Sequence, residues 1–133
     1  MTRTLLRAEI AGRIQSARQA AEITDAACVA HQLRQAIGSG DPWQALTYLR
    51  ETVRLEWSEH VSGGALLRAG REWIVVLQPG LPADVTRRAL AHELGHYHQP
   101  AEIQGTDAAE RWADAFAAAL LADLGAEVLP WHS

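Results

Sequence analysis

The chain has 133 residues, 48% hydrophobic and 21% charged, a composition that suits one globular domain with a real core and leaves no room for two. All twelve basic residues are arginine, and against sixteen acidic residues they leave a formal net charge of −4. An acidic chain without a basic cluster argues against nucleic acid as a direct ligand. Cys28 stands alone, which excludes an internal disulfide framework and a C-x-x-C metal site. Met1–Glu22 is amphipathic, with Arg3, Arg7, Arg13 and Arg18 among aliphatics. It has no apolar run of a signal sequence, and no segment approaches the roughly 18 apolar residues of a membrane span. The expectation is a cytoplasmic protein that touches neither membrane nor nucleic acid.

In chain order, Leu6, Ile10, Ile14 and Ala17 or Ala21 recur at helical spacing. Thr24-Asp25 offers a break and an N-cap, so residues 3–37 predict two helices, the second over Ala26–Ile37. The run Ile10–Ala30 resembles the first two helices of a phage-repressor-type helix-turn-helix, but no turn and recognition helix follow. A helical hairpin over residues 1–40, packed on the rest of the domain, is therefore expected. His31 has no partner in sequence. After the loop Gly38–Pro42, Asp41 is a plausible N-cap and Pro42 a first helical residue for a third helix carrying Trp43, Leu46 and Leu49.

Val53-Arg54-Leu55-Glu56-Trp57 alternates apolar and polar, the mark of a half-buried strand. Ser62-Gly63-Gly64 reads as a turn, Ala65–Arg68 as a short strand, Ala69–Glu72 as a second turn, and Trp73–Leu77 as the strongest strand. Two closely spaced turns predict a three-stranded antiparallel meander. Trp57 and Trp73 read as sheet-face or core aromatics, and His60 as a solvent-facing loop residue.

Gln78–Pro82 ends the last strand, and the following helix contains Ala91-His92-Glu93-Leu94-Gly95-His96. Residues i and i+4 of a helix lie about 40° apart, so His92 and His96 can offer two imidazoles to one metal ion. Glu93 is offset by about 100°, beside the ion without ligating it. Two neutral nitrogen ligands with an adjacent carboxylate base suit a zinc hydrolase. Val85, Ala89, His92 and His96 form one inward stripe, Arg87 and Arg88 point away, and Ala91 with Gly95 makes a small-residue face fit for a close neighbour.

The last helix, expected at about Asp107–Leu124, is capped by Thr106 or Asp107 and stopped by Gly125. Glu110 falls on its apolar stripe with Ala113 and Ala117, where a carboxylate is costly to bury unless a cation compensates it. A zinc ion is one such cation; a capping box with Asp107 is the alternative. Asp114, one turn on, is placed either to accept a hydrogen bond from a ligand imidazole or to form a surface ion pair.

The order of strand, AHELGH helix, short loop and E-x-x-A-D-x-F-A-x-x-L-L (Glu110 to Leu121) resembles the ImmA/IrrE-type metallopeptidases of bacteria and their mobile elements, over about Trp43 to Leu124. The resemblance implies a small α+β zincin (thermolysin-like, gluzincin) core with a minimal sheet and an active-site helix; with the elements read above, the expected fold is N-terminal helices, a three-stranded antiparallel sheet, the HExxH helix and a C-terminal helix carrying the third ligand. Residues 41–125 would form the catalytic core and 126–133 a tail. It implies one Zn²⁺ held by His92, His96 and Glu110, with Glu93 as general base. It also implies an endopeptidase acting on a protein partner, a helix-turn-helix repressor of a mobile element or stress response. With no complete helix-turn-helix in the chain, that repressor would be encoded separately. The ligand set also suits non-haem iron; the helical spacing and Glu93 favour zinc. Tyr97, His98 and His60 are candidate oxyanion donors, and Trp73–Leu77 a candidate edge for β-augmentation by substrate. The competing expectation is a non-catalytic antirepressor whose zinc site is structural or vestigial.

Overall fold

A computed structural model describes residues 2–103 and 105–122, with side chains from Ala17 onward. The elements are α1 (Thr2–Ile37), α2 (Pro42–Tyr48), β1 (Val53–Trp57), β2 (Gly64–Ala69), β3 (Glu72–Leu77), α3 (Ala83–His98) and α4 (Thr106–Leu121). The stop expected at Gly125 and the tail 126–133 lie outside the described residues. The chain is α+β, and no described helix is long and apolar enough to cross a membrane.

The expected N-terminal hairpin is instead one continuous helix, α1. Thr24 does not cap a new helix: its hydroxyl donates to the Ala20 carbonyl one turn back, at 2.9 Å, a bond made inside a running helix. Asp25 is used at long range, accepting from the indole Nε1–H of Trp112 at 3.2 Å. Glu22 pairs with Arg111 at 3.4 Å, and Arg34 donates to the carbonyls of Leu120 and, at 3.1 Å, Ala122. These contacts run in the same order along both helices, so α1 and α4 lie parallel, and Arg34 satisfies carbonyls left open at the end of α4. Trp112 is fully buried. Asp25→Ala should therefore cost about 1–3 kcal/mol, the range for losing a partner of a buried donor, read as a lower urea midpoint with unchanged slope.

α2 forms as its sequence predicts, Asp41 accepting from the Trp43 amide at 3.0 Å. The sheet differs from the expected antiparallel meander. Its order is β1-β3-β2, with β1 parallel and β2 antiparallel to β3, so it is mixed. The turns fix where strands begin and end but not their order, and the order follows from burial. Ile74, Val75, Val76 and Leu77 are all buried, an unbroken apolar run that belongs in the middle of a sheet. β1, with Arg54, Glu56 and Trp57 exposed, takes one edge, and β2 takes the other. Because β3 is central, its backbone is not free to receive a substrate strand; the edge beside α3 is β2.

Val53, Val75 and Leu77, with Leu55 and Leu66 at their margin, face the core formed by Leu90 and Leu94 of α3 and by Trp112, Phe116 and Leu120 of α4. Ala26, Ala30 and Leu33 of α1 close its far side. The α3–α4 contact is set by Gly95. A Cβ there would sit 2.9 Å from Ala113 Cα and 3.0 Å from its carbonyl oxygen, so the two backbones touch. α4 is preceded by Gly105 at φ +86°, a conformation cheap only for glycine, and not by a Thr106 or Asp107 side-chain cap. Thr106 and Asp107 are inside its first turn.

Candidate metal centre

α3 presents His92 and His96 one turn apart, their rings nearly perpendicular with centroids 4.7 Å apart and their Nε2 atoms 3.1 Å apart. The Gly95 contact brings the first turns of α4 against this face, and Glu110 meets both rings. Its Oε2 is 3.0 Å from His92 Nε2, and its Oε1 is 3.0 Å from His96 Nε2. The Glu110 side chain is 52% exposed. It stands at an open rim, so the cost of burial is not what requires a cation there.

The case for a cation comes from the rings. His92 Nδ1 lies 2.9 Å from Asp114 Oδ1, and His96 Nδ1 lies 3.3 Å from the Gln99 side-chain oxygen. In the tautomer that these acceptors suit, with the proton on Nδ1, both Nε2 lone pairs are directed at each other and at the carboxylate. Three electron-pair donors thus converge at 3.0–3.1 Å. A single proton bridges only one such edge, whereas one divalent cation satisfies all three. Tetrahedral zinc at about 2.0–2.1 Å from N and O ligands sets them about 3.3 Å apart, within a few tenths of an ångström of this spacing. His92, His96 and Glu110 can hold a metal ion.

Glu93, next to His92 on α3, turns towards the sheet side of the cluster, close enough for His92, His96 and Glu110 to act on its charge. It is buried, 7% exposed, beneath the start of β2, where a Cβ on Gly64 would come within 3.2 Å of its Cγ. Burial pushes its carboxyl above the usual range; His92 and His96 pull it down less strongly, and Glu110 adds to the rise. In the metal-free protein this carboxylate is therefore more basic than a solvated glutamate.

Against known proteins, the chain matches no family model, no curated protein and no solved structure. Its chemistry is read from the site itself.

Asp114, one turn after Glu110, lies with Oδ1 2.9 Å from His92 Nδ1. Of the three candidate oxyanion donors, Tyr97 and His98 are engaged elsewhere and His60 faces solvent. The Tyr97 hydroxyl pairs with Thr52 at 3.0 Å, and its ring meets Trp73 edge-on. His98 donates from Nδ1 to the Leu94 carbonyl at 2.8 Å and stacks on Phe116; burial lowers its pKa, against a smaller rise from that backbone bond. His60 is exposed in the β1–β2 loop. None of the three hydrogen-bonds to the cluster. Two contributors were missed in the sequence. Gly64 is recognisable only once β2 is known to be the neighbouring edge. Gln99 carried a faint signal, its place three residues after His96 and directly before Pro100.

Proposed function

We propose that the chain is a zinc-dependent endopeptidase of the ImmA/IrrE type, acting in the cytoplasm on a helix-turn-helix repressor. The observation that carries this reading is the convergence of His92 Nε2, His96 Nε2 and the Glu110 carboxylate at 3.0–3.1 Å from one another, next to the buried Glu93 carboxyl. A metal site that only held the fold together would have no use for Glu93, whose burial costs stability; this argues against the antirepressor alternative. His92, His96 and Glu110 hold the metal. When bound, zinc supplies Lewis acidity, polarising the substrate carbonyl and making water a nucleophile near neutral pH. Glu93 takes the proton from the water as its oxygen bonds to the carbonyl carbon. It then delivers that proton to the amide nitrogen as the C–N bond breaks. Gly64 leaves the start of β2 without a side chain, so an extended peptide can pair with this free edge and bring its carbonyl over Glu93.

The test is metal content per chain after purification and zinc reconstitution. About one zinc in the wild type, lost in Glu110→Ala, is the expected result; no zinc in the reconstituted wild type would sink the reading. Asp114→Ala should keep the fold and weaken zinc affinity by about 10–100-fold, the usual cost of removing the acceptor behind a ligand histidine. Competition with a chromophoric chelator measures it.

A further inference from the structure

The geometry points to Gln99 as a positioning residue of the metal centre, which holds His96 through an uncharged acceptor where His92 is held by a carboxylate. The inference rests on the metal-site reading above. It begins with Gln99-Pro100. A residue before proline is disfavoured in the helical region, and Gln99 is extended, at φ −61° and ψ 131°, which ends α3 at His98. From this fixed backbone Gln99 grips the second histidine twice. Its N–H donates to the His96 carbonyl at 3.3 Å, and its side-chain oxygen accepts from His96 Nδ1–H at the same distance. His96 is thereby held at both the main chain and the ring.

The two acceptors are not equivalent. Asp114 carries a charge that draws the His92 Nδ1 proton and makes Nε2 a stronger donor to a metal. The Gln99 amide orients His96 without adding that charge. The carboxylates around the centre are Glu93, Glu110 and Asp114, and a fourth at position 99 would hold a dication more tightly while leaving it less electron-poor. Gln99 therefore sets how far metal affinity is exchanged for the power to polarise a carbonyl. Its neutrality is the functional feature, and its backbone geometry is the means of delivery.

The experiment compares the full chain as wild type, Gln99→Glu and Gln99→Leu. Two quantities are read: zinc affinity by chelator competition, and the visible absorption of the cobalt(II)-substituted protein. Gln99→Glu should tighten zinc binding by about tenfold and Gln99→Leu weaken it by about 10–100-fold, each with a shifted cobalt band. Variants within twofold of wild type, with an unmoved band, would overturn the role of Gln99 and leave the metal centre standing. A wild type that binds neither zinc nor cobalt would overturn the metal centre itself. Should Gln99→Leu not fold, Gln99→Glu decides alone: no tightening and no spectral shift removes the proposal.

Discussion

Glu93→Gln should retain one zinc per chain and lose peptide hydrolysis by about 10²–10⁴-fold, the contribution of a positioned general base. Gln has nearly the same volume and reaches the same place under Gly64, so the ligand set is undisturbed while the proton acceptor is gone. Hydrolysis is measured by mass spectrometry on a peptide library and on repressors co-expressed with the protein. A variant within tenfold of wild type would remove Glu93 from the reaction. The same substitution should stabilise the metal-free protein. Burial raises the folded-state pKa of Glu93 above 4.5, so its favourable contribution is present below that pH and is lost as pH rises through the folded value. Above it, the wild type carries a desolvated charge that the amide lacks. With chelator present, Glu93→Gln should melt a few degrees higher than wild type at pH 7, roughly what 1 kcal/mol gives in a domain of this size. The gain should vanish towards pH 4. A residue that costs stability when charged, and whose loss abolishes turnover, is one retained for chemistry.

The site was more legible in the sequence than the fold around it. His92, Glu93 and His96 are fixed relative to one another by helical spacing alone, and Glu110 and Asp114 are likewise one turn apart, so each half of the cluster is a local property. What brings the halves together, the backbone contact of Gly95 with Ala113, was visible only as a small-residue face. Sheet order was not local at all. The same turns around Gly63 and Gly70 serve a meander or a β1-β3-β2 sheet, and the unbroken apolar run Ile74–Leu77 is the residue-level clue that β3 is central. The break expected at Thr24-Asp25 failed for a tertiary reason. Both side chains have helix-compatible uses, Thr24 on the preceding turn and Asp25 on Trp112, and the second is invisible until α4 is packed beside α1.

Gly95→Val should lower stability by about 2–4 kcal/mol, as overpacking and strain at a backbone contact do, and weaken zinc binding by more than tenfold although Gly95 offers no ligand. Even a lone Cβ at this position meets the Ala113 Cα at 2.9 Å. That neighbour is main chain and cannot swing aside, so α4 must move away from α3. Glycine to alanine normally helps a helix interior by about 1 kcal/mol; here the contact outweighs that gain, and valine, with two more methyl groups, outweighs it further. Glu110 travels with α4, and its two 3.0 Å approaches to His92 and His96 open by the same displacement. Leu94→Ala supplies the comparison. Leu94 is fully buried, and its truncation should cost a similar 2–5 kcal/mol by leaving a cavity, but it does not drive the two helices apart. If zinc affinity falls in Gly95→Val and holds in Leu94→Ala at matched stability, the helix spacing, and not general firmness of the core, assembles the ligands. Equal losses in both would mean that the cluster depends only on the fold being stable, and the Gly95 contact would have no special claim on the site.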